Sequence, residues 1–372
     1  MSAIAGKIRR QALVYDLGLL FPVLLLMGMG IVMVYSASSA LAVRKFGSDY
    51  FFLERQAIFS LMGIVMLVLV SNIPFRIYRV LAYPALAAAM AMLIAVAFTD
   101  WGVTAGGSAR WLQVGPVQFQ PSELARLALV IYLAYSMSKK ETLVRDFYVG
   151  FLPHLIVLAF LALLLVVQPD FGSVVLFAAL TGIMLFVGGC RMTHLMLVIG
   201  LMAPMAWLFM TQAEYRVRRL LTFLDPWQYP ADSGYQIVHS LMAFGSGGIT
   251  GTGLGNGYQK LFYLPEPHTD FIFSVVGEEL GLIGVTVVIL LYGVILMRGI
   301  RIARRAKDPF GAYLAMGITV ALGLQVCVNM GVALGLLPTK GLTLPFLSYG
   351  GTSLLINMVA VGIMMNIGAR NG

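Results

Sequence analysis

The sequence predicts an all-α polytopic membrane protein with about ten transmembrane helices. Of its 372 residues, 60% are hydrophobic and only 11% are charged, whereas charged residues make up about a quarter of an ordinary soluble domain. A helix crosses about 30 Å of hydrocarbon with roughly 17 to 25 apolar residues. Runs of that length lie near residues 14–37, 51–71, 80–99, 122–138, 149–167, 172–189, 194–211, 271–297, 311–336 and 352–367.

The distribution of positive charge predicts the orientation of these helices. Lys7, Arg9 and Arg10 precede a first span of full length, so we expect this span to be retained as a helix and not cleaved as a signal peptide. With both termini on one face, that face carries 15 of the 25 Lys and Arg residues, and the opposite face carries the other 10. Because Lys and Arg are enriched on the cytoplasmic side, both termini are predicted to be cytoplasmic.

This topology gives one membrane domain, residues 1–372, with three unusual extracytoplasmic segments. They are residues 99–121, residues 211–270 between helices 7 and 8, and residues 337–351. Loops longer than about 12 to 15 residues are uncommon unless they are functional or disordered, and these loops carry aromatic residues such as Trp101, Trp111 and Trp227. We therefore expect ordered caps, built with short helices, on the outer face of the bundle.

The remaining composition argues against several classes of function. The net charge of +9 follows mainly from the topology, so it does not indicate a nucleic-acid partner. Cys190 and Cys327 are far apart in the sequence and do not imply a disulfide. Four scattered histidines and two cysteines lack the spacing of metal ligands, so no metal site is predicted.

Carboxylates concentrate in residues 264–281, at the entrance to the eighth apolar run. Ionisable groups at a membrane are costly and are functional candidates by default. Asp270 directly precedes the run and has two interpretations: the N-cap of the helix, or a general base at the outer surface, with Glu266 nearby. Glu278 and Glu279 lie deeper. Adjacent helix positions point about 100° apart, so we do not expect both acids to face one functional site. We expect them instead to have a structural role and to pair with an Arg or Lys of another helix.

A second charged group lies at the start of the fourth helix. Pro121 and Ser122 are typical of a helix start, which places Glu123 and Arg126 at positions i and i+3 on one face. Either these two side chains form an internal ion pair, or Arg126 faces a polar cavity or an anionic ligand. In residues 168–172, Asp170 is predicted to cap the following helix.

Cations on the outer side form a third group, with Arg110, Arg216, Arg219 and Lys340 as its members. They are explained either by ordinary contact with lipid headgroups or by binding of an anionic lipid substrate. The glycine-rich run 245–257 matches no phosphate-loop pattern. It predicts either flexible turns at the membrane surface or backbone N–H groups that form an anion-binding site near a substrate pyrophosphate. The residues alone leave the choice between chemistry and transport open.

Four motifs, residues 215–227, 234–236, 264–281 and 335–351, make the chain recognisable. Through them the sequence resembles the SEDS family, also called the FtsW/RodA/SpoVE family, and the resemblance extends over essentially the whole chain. The pair Thr339 and Lys340 resembles the cell-division branch of this family. Arg126 stands where many members have lysine, which differs from arginine in hydrogen-bond geometry.

The resemblance implies a peptidoglycan glycosyltransferase that polymerises lipid II with inversion and releases undecaprenyl pyrophosphate. Asp270 matches the family's essential acid, which would make it the general base. The structural acids would be Asp170, Glu278 and Glu279. The predicted substrate-binding residues are Arg110, Glu123, Arg126, Arg216, Arg219, Glu266 and Lys340. No cofactor is predicted, and the use of a divalent cation is left open.

The resemblance also implies a location and partners. The location is the bacterial cytoplasmic (inner) membrane at the division septum. The partners are a class B penicillin-binding protein that acts as the transpeptidase, other division proteins, and membrane lipids. Two alternative functions stay open: a lipid II flippase, and a scaffold that recruits the transpeptidase.

Overall fold

The computed structural model describes residues 16–105, 108–114, 117–141, 143–211, 214–230, 234–261 and 263–369. Its helices and strands, in chain order, are α1 (Leu17–Phe46), α2 (Phe51–Asn72), α3 (Ile77–Phe98), β1 (Gly102–Ala105), β2 (Ser108–Val114), β3 (Val117–Phe119), α4 (Pro121–Lys139), α5 (Leu152–Val167), α6 (Phe171–Val187), α7 (Met192–Thr211), α8 (Glu214–Leu224), α9 (Tyr235–Gly247), α10 (Ile272–Arg305), α11 (Pro309–Ala333) and α12 (Gly351–Ala369).

Ten of these helices coincide with the ten apolar runs, and the polytopic α-helical class is confirmed. In the described part of the chain, seven helices are long and apolar enough to cross a membrane: α1, α2, α3, α5 with the π-helical turn Phe147–Phe151 before it, α10, α11 and α12. α6 and the first part of α7 are shorter apolar helices. α4 carries the charged residues Glu123 and Arg126 near its start.

The centre of the bundle is formed by α4, α11 and α12. Nearly every side chain of α4 from Pro121 to Met137 is buried, and the same holds for α12 from Thr352 to Ile367. α4 packs against α3 and α11, α12 packs against α2, and α10 packs against α1 and α11. A helix buried on all of its faces is typical of the core of a large or membrane-embedded bundle.

The first outer segment contains a small sheet, so the prediction of short helices is wrong for residues 99–121. β1, β2 and β3 form an antiparallel sheet in that order, with Gly102 opposite Leu112 and Leu112 opposite Phe119. The β-branched residues Val103 and Val117 favour a pleated strand over a helix. The second outer segment contains the short helices α8 and α9, as predicted, and residues 337–350 contain none.

α10 is interrupted at Gly281, whose backbone has φ 63° and ψ −162°. This conformation is essentially restricted to glycine, and it ends the regular hydrogen-bond pattern of the helix. The backbone N–H groups of Leu282 and Ile283 donate instead to the carbonyls of Gly248 and Ile249, at 2.9 and 3.2 Å. Backbone groups freed by a helix break at a membrane must find such partners within the protein.

The other side of the break is satisfied by the same loop. The carbonyls of Glu278 and Glu279 accept hydrogen bonds from the N–H groups of Thr252 and Gly253, at 2.9 and 3.1 Å. Residues 248–261, here called the glycine loop, therefore replace the missing helical partners on both sides of Gly281. The first segment of α10, which follows Asp270, is fastened to this loop through its backbone.

Candidate functional site

A cavity of about 2090 Å³ lies beside α4, α5, α6 and α7 and reaches the outer loops. One part of its lining is apolar and comes mainly from α5, α6 and α7, with Leu158, Ala159, Val175 and Met196 among its residues. The other part is polar. It contains the ionisable residues Arg55, Arg110, Glu123, Asp170, Glu266, Asp270 and Lys340.

Asp270 lies in the turn before α10 and does not cap that helix. The helix begins at Ile272, so the N-cap position falls on Phe271, where no side-chain cap bond is present. The N-cap interpretation of Asp270 is therefore wrong, because the helix starts one residue too late for it. A side-chain carbon added at Gly341 would lie 2.8 Å from Oδ2 of Asp270, so the carboxylate lies directly against this glycine in the cavity wall.

The surroundings of Asp270 make it an unusually basic carboxylate. Burial, and to a smaller extent the nearby charge of Glu266, together raise the pKa of Asp270 from 3.8 to about 7. Arg110, a hydrogen bond from Thr269, and Lys340 act in the opposite direction. Because burial outweighs the cations, the group is poised to accept a proton near neutral pH.

Two of the predicted cations lie at this end of the cavity. Arg110, on β2, donates from Nη2 to the carbonyl of Pro169 at 2.8 Å, and its Nε is buried without a hydrogen-bond partner among the described residues. The aliphatic stem of Lys340 lies against Gly172, where a side chain would not fit, and its Nζ likewise has no such partner. Both side chains therefore retain donors for an anionic ligand.

The pKa of Lys340 is lowered to about 8, chiefly by burial. Arg110 and Arg126 also lower it, whereas Asp170 and Glu123 raise it. Since the pKa stays above 7, the ammonium group is mostly protonated at neutral pH. A desolvated cation of this kind interacts with an anion more strongly than an exposed lysine does.

Glu123 and Arg126 form an internal ion pair, one of the two arrangements predicted for them. The distance from Arg126 Nη2 to Glu123 Oε2 is 2.7 Å, and both side chains are buried. Arg126 Nη2 also donates to Oδ1 of Asn357 at 3.0 Å. Glu123 lines the large cavity, whereas Arg126 lines a separate, much smaller one. Arg126 therefore does not line the large cavity, but it binds Glu123, which does, and its charge lowers the pKa of Lys340.

Asp170 is the N-cap of α6. Its Oδ1 accepts from the backbone N–H of Ser173 at 3.4 Å, and its Oδ2 accepts from the Ser173 hydroxyl at 2.6 Å. The sequence predicts this cap, but it does not place Asp170 in the cavity wall, where it influences Lys340.

Glu278 binds backbone N–H groups of the glycine loop. Its Oε1 accepts from the N–H groups of Tyr258 and Gln259, at 2.7 and 3.1 Å. The expectation of a cation from another helix is wrong for this residue, because main-chain donors satisfy the carboxylate. The donors Tyr258 and Gln259 lie just after the glycine-rich run 245–257, and binding of a substrate pyrophosphate by the N–H groups of that run stays a prediction.

Glu279 pairs with Lys260, which also belongs to the glycine loop. The distance from Lys260 Nζ to Glu279 Oε1 is 2.5 Å, and both side chains are almost completely buried. The carboxylate also accepts from the hydroxyl of Ser36 at 2.7 Å and from the N–H of Gly255 at 3.2 Å. The expected ion pair is present, although its cation comes from a loop and not from another helix.

Three further residues complete the comparison with the sequence predictions. The side chain of Glu266 is mostly exposed, and its Oε2 lies 3.9 Å from Nε2 of His268. Arg216 and Arg219 lie on α8, but their side chains are outside the part of the structure that is described. Arg55 of α2 lines the cavity and was not predicted. A cation one turn inside an apolar run was the signal that would have found it.

These observations define a class: a multi-pass α-helical membrane protein with an amphipathic cavity that ends in a cluster of acids and cations. The family model of the FtsW/RodA/SpoVE cell cycle proteins matches residues 17–371. The chain belongs to this family.

Curated relatives match nearly the whole chain. The probable peptidoglycan glycosyltransferase FtsW of Geobacter sulfurreducens is 46% identical over 357 residues, which cover 96% of this chain and 95% of the relative. The stage V sporulation protein E of Bacillus subtilis is 40% identical over 353 residues, which cover 95% of this chain and 96% of the relative.

Solved structures are similar over the same extent. A chain from a peptidoglycan synthase complex, studied for its coordination of polymerization and crosslinking, gives a TM-score of 0.81 at 30% identity. The alignment covers 96% of this chain and 99% of that one. The rod shape determining protein RodA of Thermus thermophilus gives a TM-score of 0.71 at 30% identity, with 96% and 98% covered.

Proposed function

We propose that this protein is a peptidoglycan glycosyltransferase that polymerises lipid II at the outer face of the bacterial cytoplasmic membrane during cell division. The observation that carries the proposal is the position of Asp270, a carboxylate with a pKa of about 7 at the polar end of a cavity whose other part is apolar. A lipid-linked sugar pyrophosphate has the same division into a polar head and an apolar tail. The names of the curated relatives support this assignment.

In the proposed reaction, Asp270 accepts the proton of the 4-hydroxyl of the acceptor GlcNAc as that oxygen attacks the anomeric carbon of the donor MurNAc. The new glycosidic bond forms with inversion, and the bond to undecaprenyl pyrophosphate breaks and leaves its electron pair on the phosphate oxygen. The proton on Asp270 then passes to solvent. A positioned general base typically contributes about 10² to 10⁴ in rate.

Arg110 and Lys340 are the cations proposed to stabilise the departing pyrophosphate. Both lie at the polar end of the cavity with N–H groups that have no hydrogen-bond partner among the described residues. Charge that develops in the transition state is stabilised best by donors that are already in place and desolvated. Glu266 lines the same end, and Arg216 and Arg219 remain predicted contacts of the substrate.

The apolar part of the cavity is proposed to receive the undecaprenyl chain. α7 contacts α6 and α8, and many of its apolar side chains are exposed, including Met196, Ile199 and Met202. These three residues also line the cavity. A lipid chain placed between α5, α6 and α7 would therefore cover surface that otherwise faces the bilayer.

The partner proposed for this activity is a class B penicillin-binding protein. The most relevant support is the similarity to a chain of a peptidoglycan synthase complex that couples polymerization to crosslinking. Other division proteins and membrane lipids are the remaining proposed contacts, and the division septum is the proposed location.

The cavity lining favours an enzyme over a lipid II flippase. Among the described residues, the ionisable side chains that line the cavity gather at the end near Asp270, whereas the lining from α5 and α7 is apolar. A flippase needs a polar path for the pyrophosphate through the whole membrane thickness. A scaffold that only recruits the transpeptidase does not explain a partly buried base beside the buried Nε of Arg110 and the buried Nζ of Lys340.

The experiment is a lipid II polymerisation assay on the purified protein with its transpeptidase partner. We expect Asp270→Asn to reduce polymer formation at least about 100-fold, because the amide cannot accept the proton. Asp100→Asn, which changes an exposed acid of the outer loops, should leave the rate unchanged. Both variants should unfold at the wild-type temperature.

Two results contradict the proposal in different ways. Undiminished polymerisation by Asp270→Asn would exclude this residue as the base. If the wild type moves lipid II across liposome membranes and never polymerises it, the protein is a flippase.

A further inference from the structure

Asn329 of α11 joins the turn that carries Asp270 to the loop that carries Lys340. Its side chain is 1% exposed. The Nδ2 group donates to the backbone carbonyl of Asp270 at 2.9 Å and to the backbone carbonyl of Leu342 at 2.5 Å. One buried amide therefore bridges the two segments that form the polar end of the cavity.

The orientation of this amide follows from its partners. Both partners are carbonyl oxygens, which only accept hydrogen bonds, so the NH₂ group of Asn329 must face them. One N–H of the amide donates to the Asp270 turn and the other to the loop that carries Lys340, so both donors are used. Residues 337–350, here called the Lys340 loop, thus depend on the same donor as the Asp270 turn.

A second amide, one turn earlier on α11, binds the Lys340 loop and the start of α12 but not the Asp270 turn. Gln325 lies four residues before Asn329, on the same face of the helix. Its Nε2 donates to the carbonyl of Thr343 at 2.9 Å. Asn329 therefore binds the carbonyl of Leu342, and Gln325, four residues earlier on the same helix, binds the carbonyl of Thr343. Of these two amides, only Asn329 also binds the Asp270 turn.

We propose that Asn329 is a positioning residue that holds the Asp270 carboxylate against Gly341 and beside Lys340. The inference rests on the proposed function, because it assumes that Asp270 is the base. Asn329 acts through the backbone of two segments and does not contact the reacting atoms. Nothing in its sequence context distinguishes it from an ordinary polar residue inside a span.

Loss of this amide is expected to change the surroundings of Asp270, the proposed base. Without Asn329, two buried carbonyls lose their donor and must be hydrated or left unpaired. Water admitted there also solvates the Asp270 carboxylate and reduces the burial that is the main cause of its raised pKa. The charged groups that face Asp270 are Glu266 on its own segment, Arg110 on β2 and Lys340 on the opposite loop.

The test compares Asn329→Ala with Asn366→Ala in the complex with the transpeptidase. Asn366 of α12 is a matched control, since it is also 1% exposed and also makes two hydrogen bonds to backbone groups, those of Phe75 and Ser71. It does not line the cavity. We measure kcat, KM for lipid II, the pH dependence of kcat, and the thermal unfolding temperature.

Asn329→Ala is expected to lower kcat about tenfold to a hundredfold with little change in KM, the loss typical of a misplacement of about 1 Å. The acid limb of its kcat profile should move from near pH 7 towards lower pH, because a hydrated carboxylate has a lower pKa. Asn366→Ala should leave the acid limb in place, and Gln325→Ala should move it less than Asn329→Ala does.

An acid limb that stays at the wild-type pH in Asn329→Ala, with kcat and stability lowered only as in Asn366→Ala, overturns the proposal and leaves Asn329 a structural residue. If Asn329→Ala does not fold, the same measurements on Asn329→Ser, which is too short to reach both carbonyls, decide the question. Failure of the proposed function is seen separately, as full polymerisation by Asp270→Asn.

Discussion

At the scale of single residues, the basicity of Asp270 comes from its surroundings and not from its chemical type. Burial is the largest cause of its raised pKa, and the charge of Glu266 adds to it. Arg110 and Lys340 limit the rise. A carboxylate that meets only the cations would have a pKa below its usual range and would be a poor base at neutral pH.

The pH dependence of activity should therefore respond to Glu266. Glu266→Gln removes a negative charge near Asp270, which lowers the pKa of Asp270 and keeps the base deprotonated at lower pH. The acid limb of kcat should move down, by less than about one pH unit since burial remains. The measurement is initial polymerisation rate against pH at saturating lipid II.

Glu266→Asp is the control, because it keeps the charge and should keep the acid limb near its wild-type position. The prediction fails if Glu266→Gln moves the limb to higher pH or leaves it where it is in Glu266→Asp.

At the scale of elements, the break in α10 explains why the glycine loop is folded against the membrane helices. The break exposes two N–H groups and two carbonyls, and the loop pairs with all four. Glu278 and Glu279 then bind the loop a second time, through its N–H groups and Lys260. The short segment of α10 between Asp270 and Gly281 is thereby fixed at its Gly281 end, while Asn329 holds the Asp270 end.

Gly281 should tolerate no side chain. An added Cβ would lie 2.4 Å from the N of Gly251 and 2.5 Å from the carbonyl oxygen of Ile249, and the backbone conformation itself costs a residue other than glycine about 1 to 3 kcal/mol. Gly281→Ala is expected to lower the thermal unfolding temperature in detergent by several degrees.

Gly293→Ala is the matched control on the same helix. A Cβ at Gly293 meets nothing within 4 Å, and alanine is favoured over glycine in a helix by about 0.5 to 1 kcal/mol. An unfolding temperature of Gly281→Ala equal to or above that of Gly293→Ala would show that the break is not required.

At the scale of the whole molecule, the cavity unites a lipid-like wall with an ionic end in one space of about 2090 Å³. The apolar wall comes from helices in the middle of the chain, whereas the ionic end is assembled from β2, the start of α6, the turn before α10 and the Lys340 loop. The lipid-linked substrate proposed above would bridge both parts and be held by its tail and by its pyrophosphate at once.

Filling the apolar wall should weaken binding of the lipid tail. Ala159 is exposed in the cavity on α5, so Ala159→Phe occupies space proposed for the prenyl chain. Displacement of two CH₂ groups costs roughly 1.6 kcal/mol, which is about a tenfold rise in KM for full-length lipid II. The measurement is KM for lipid II with full-length and with shortened prenyl chains.

The shortened substrate should be affected less by Ala159→Phe than the full-length one. Ala88→Phe, on an exposed part of α3 away from the cavity, is the control and should change neither KM. An equal rise in KM for both chain lengths would place the tail elsewhere.

The sequence predicts the spans well, because they depend on local composition: ten apolar runs match ten helices. It also singles out Asp270, which lines the cavity together with Arg110 and Lys340, and the role of Asp270 as the base stays a prediction. The small sheet, the helix break and Arg55 were missed. The helix break depends on contacts between separate segments, those of the glycine loop with Gly281, which no periodicity in the sequence reveals. The small sheet lies within residues 102–119, and Arg55 is a cation inside an apolar run, so both leave a local signal in the sequence.

The buried pairing of the glycine loop also constrains the order in which the chain can assemble. Ser36 of α1 and Glu279 of α10 are 243 residues apart in the chain and share the ammonium group of Lys260. While the protein is being synthesised, the loop leaves the ribosome before either carboxylate that binds it. Before α10 is inserted, Lys260 can donate to the Ser36 hydroxyl but not to Glu279, and the N–H groups of Gly255, Tyr258 and Gln259 lack the carboxylates that accept from them. This buried cluster is therefore completed late in biogenesis.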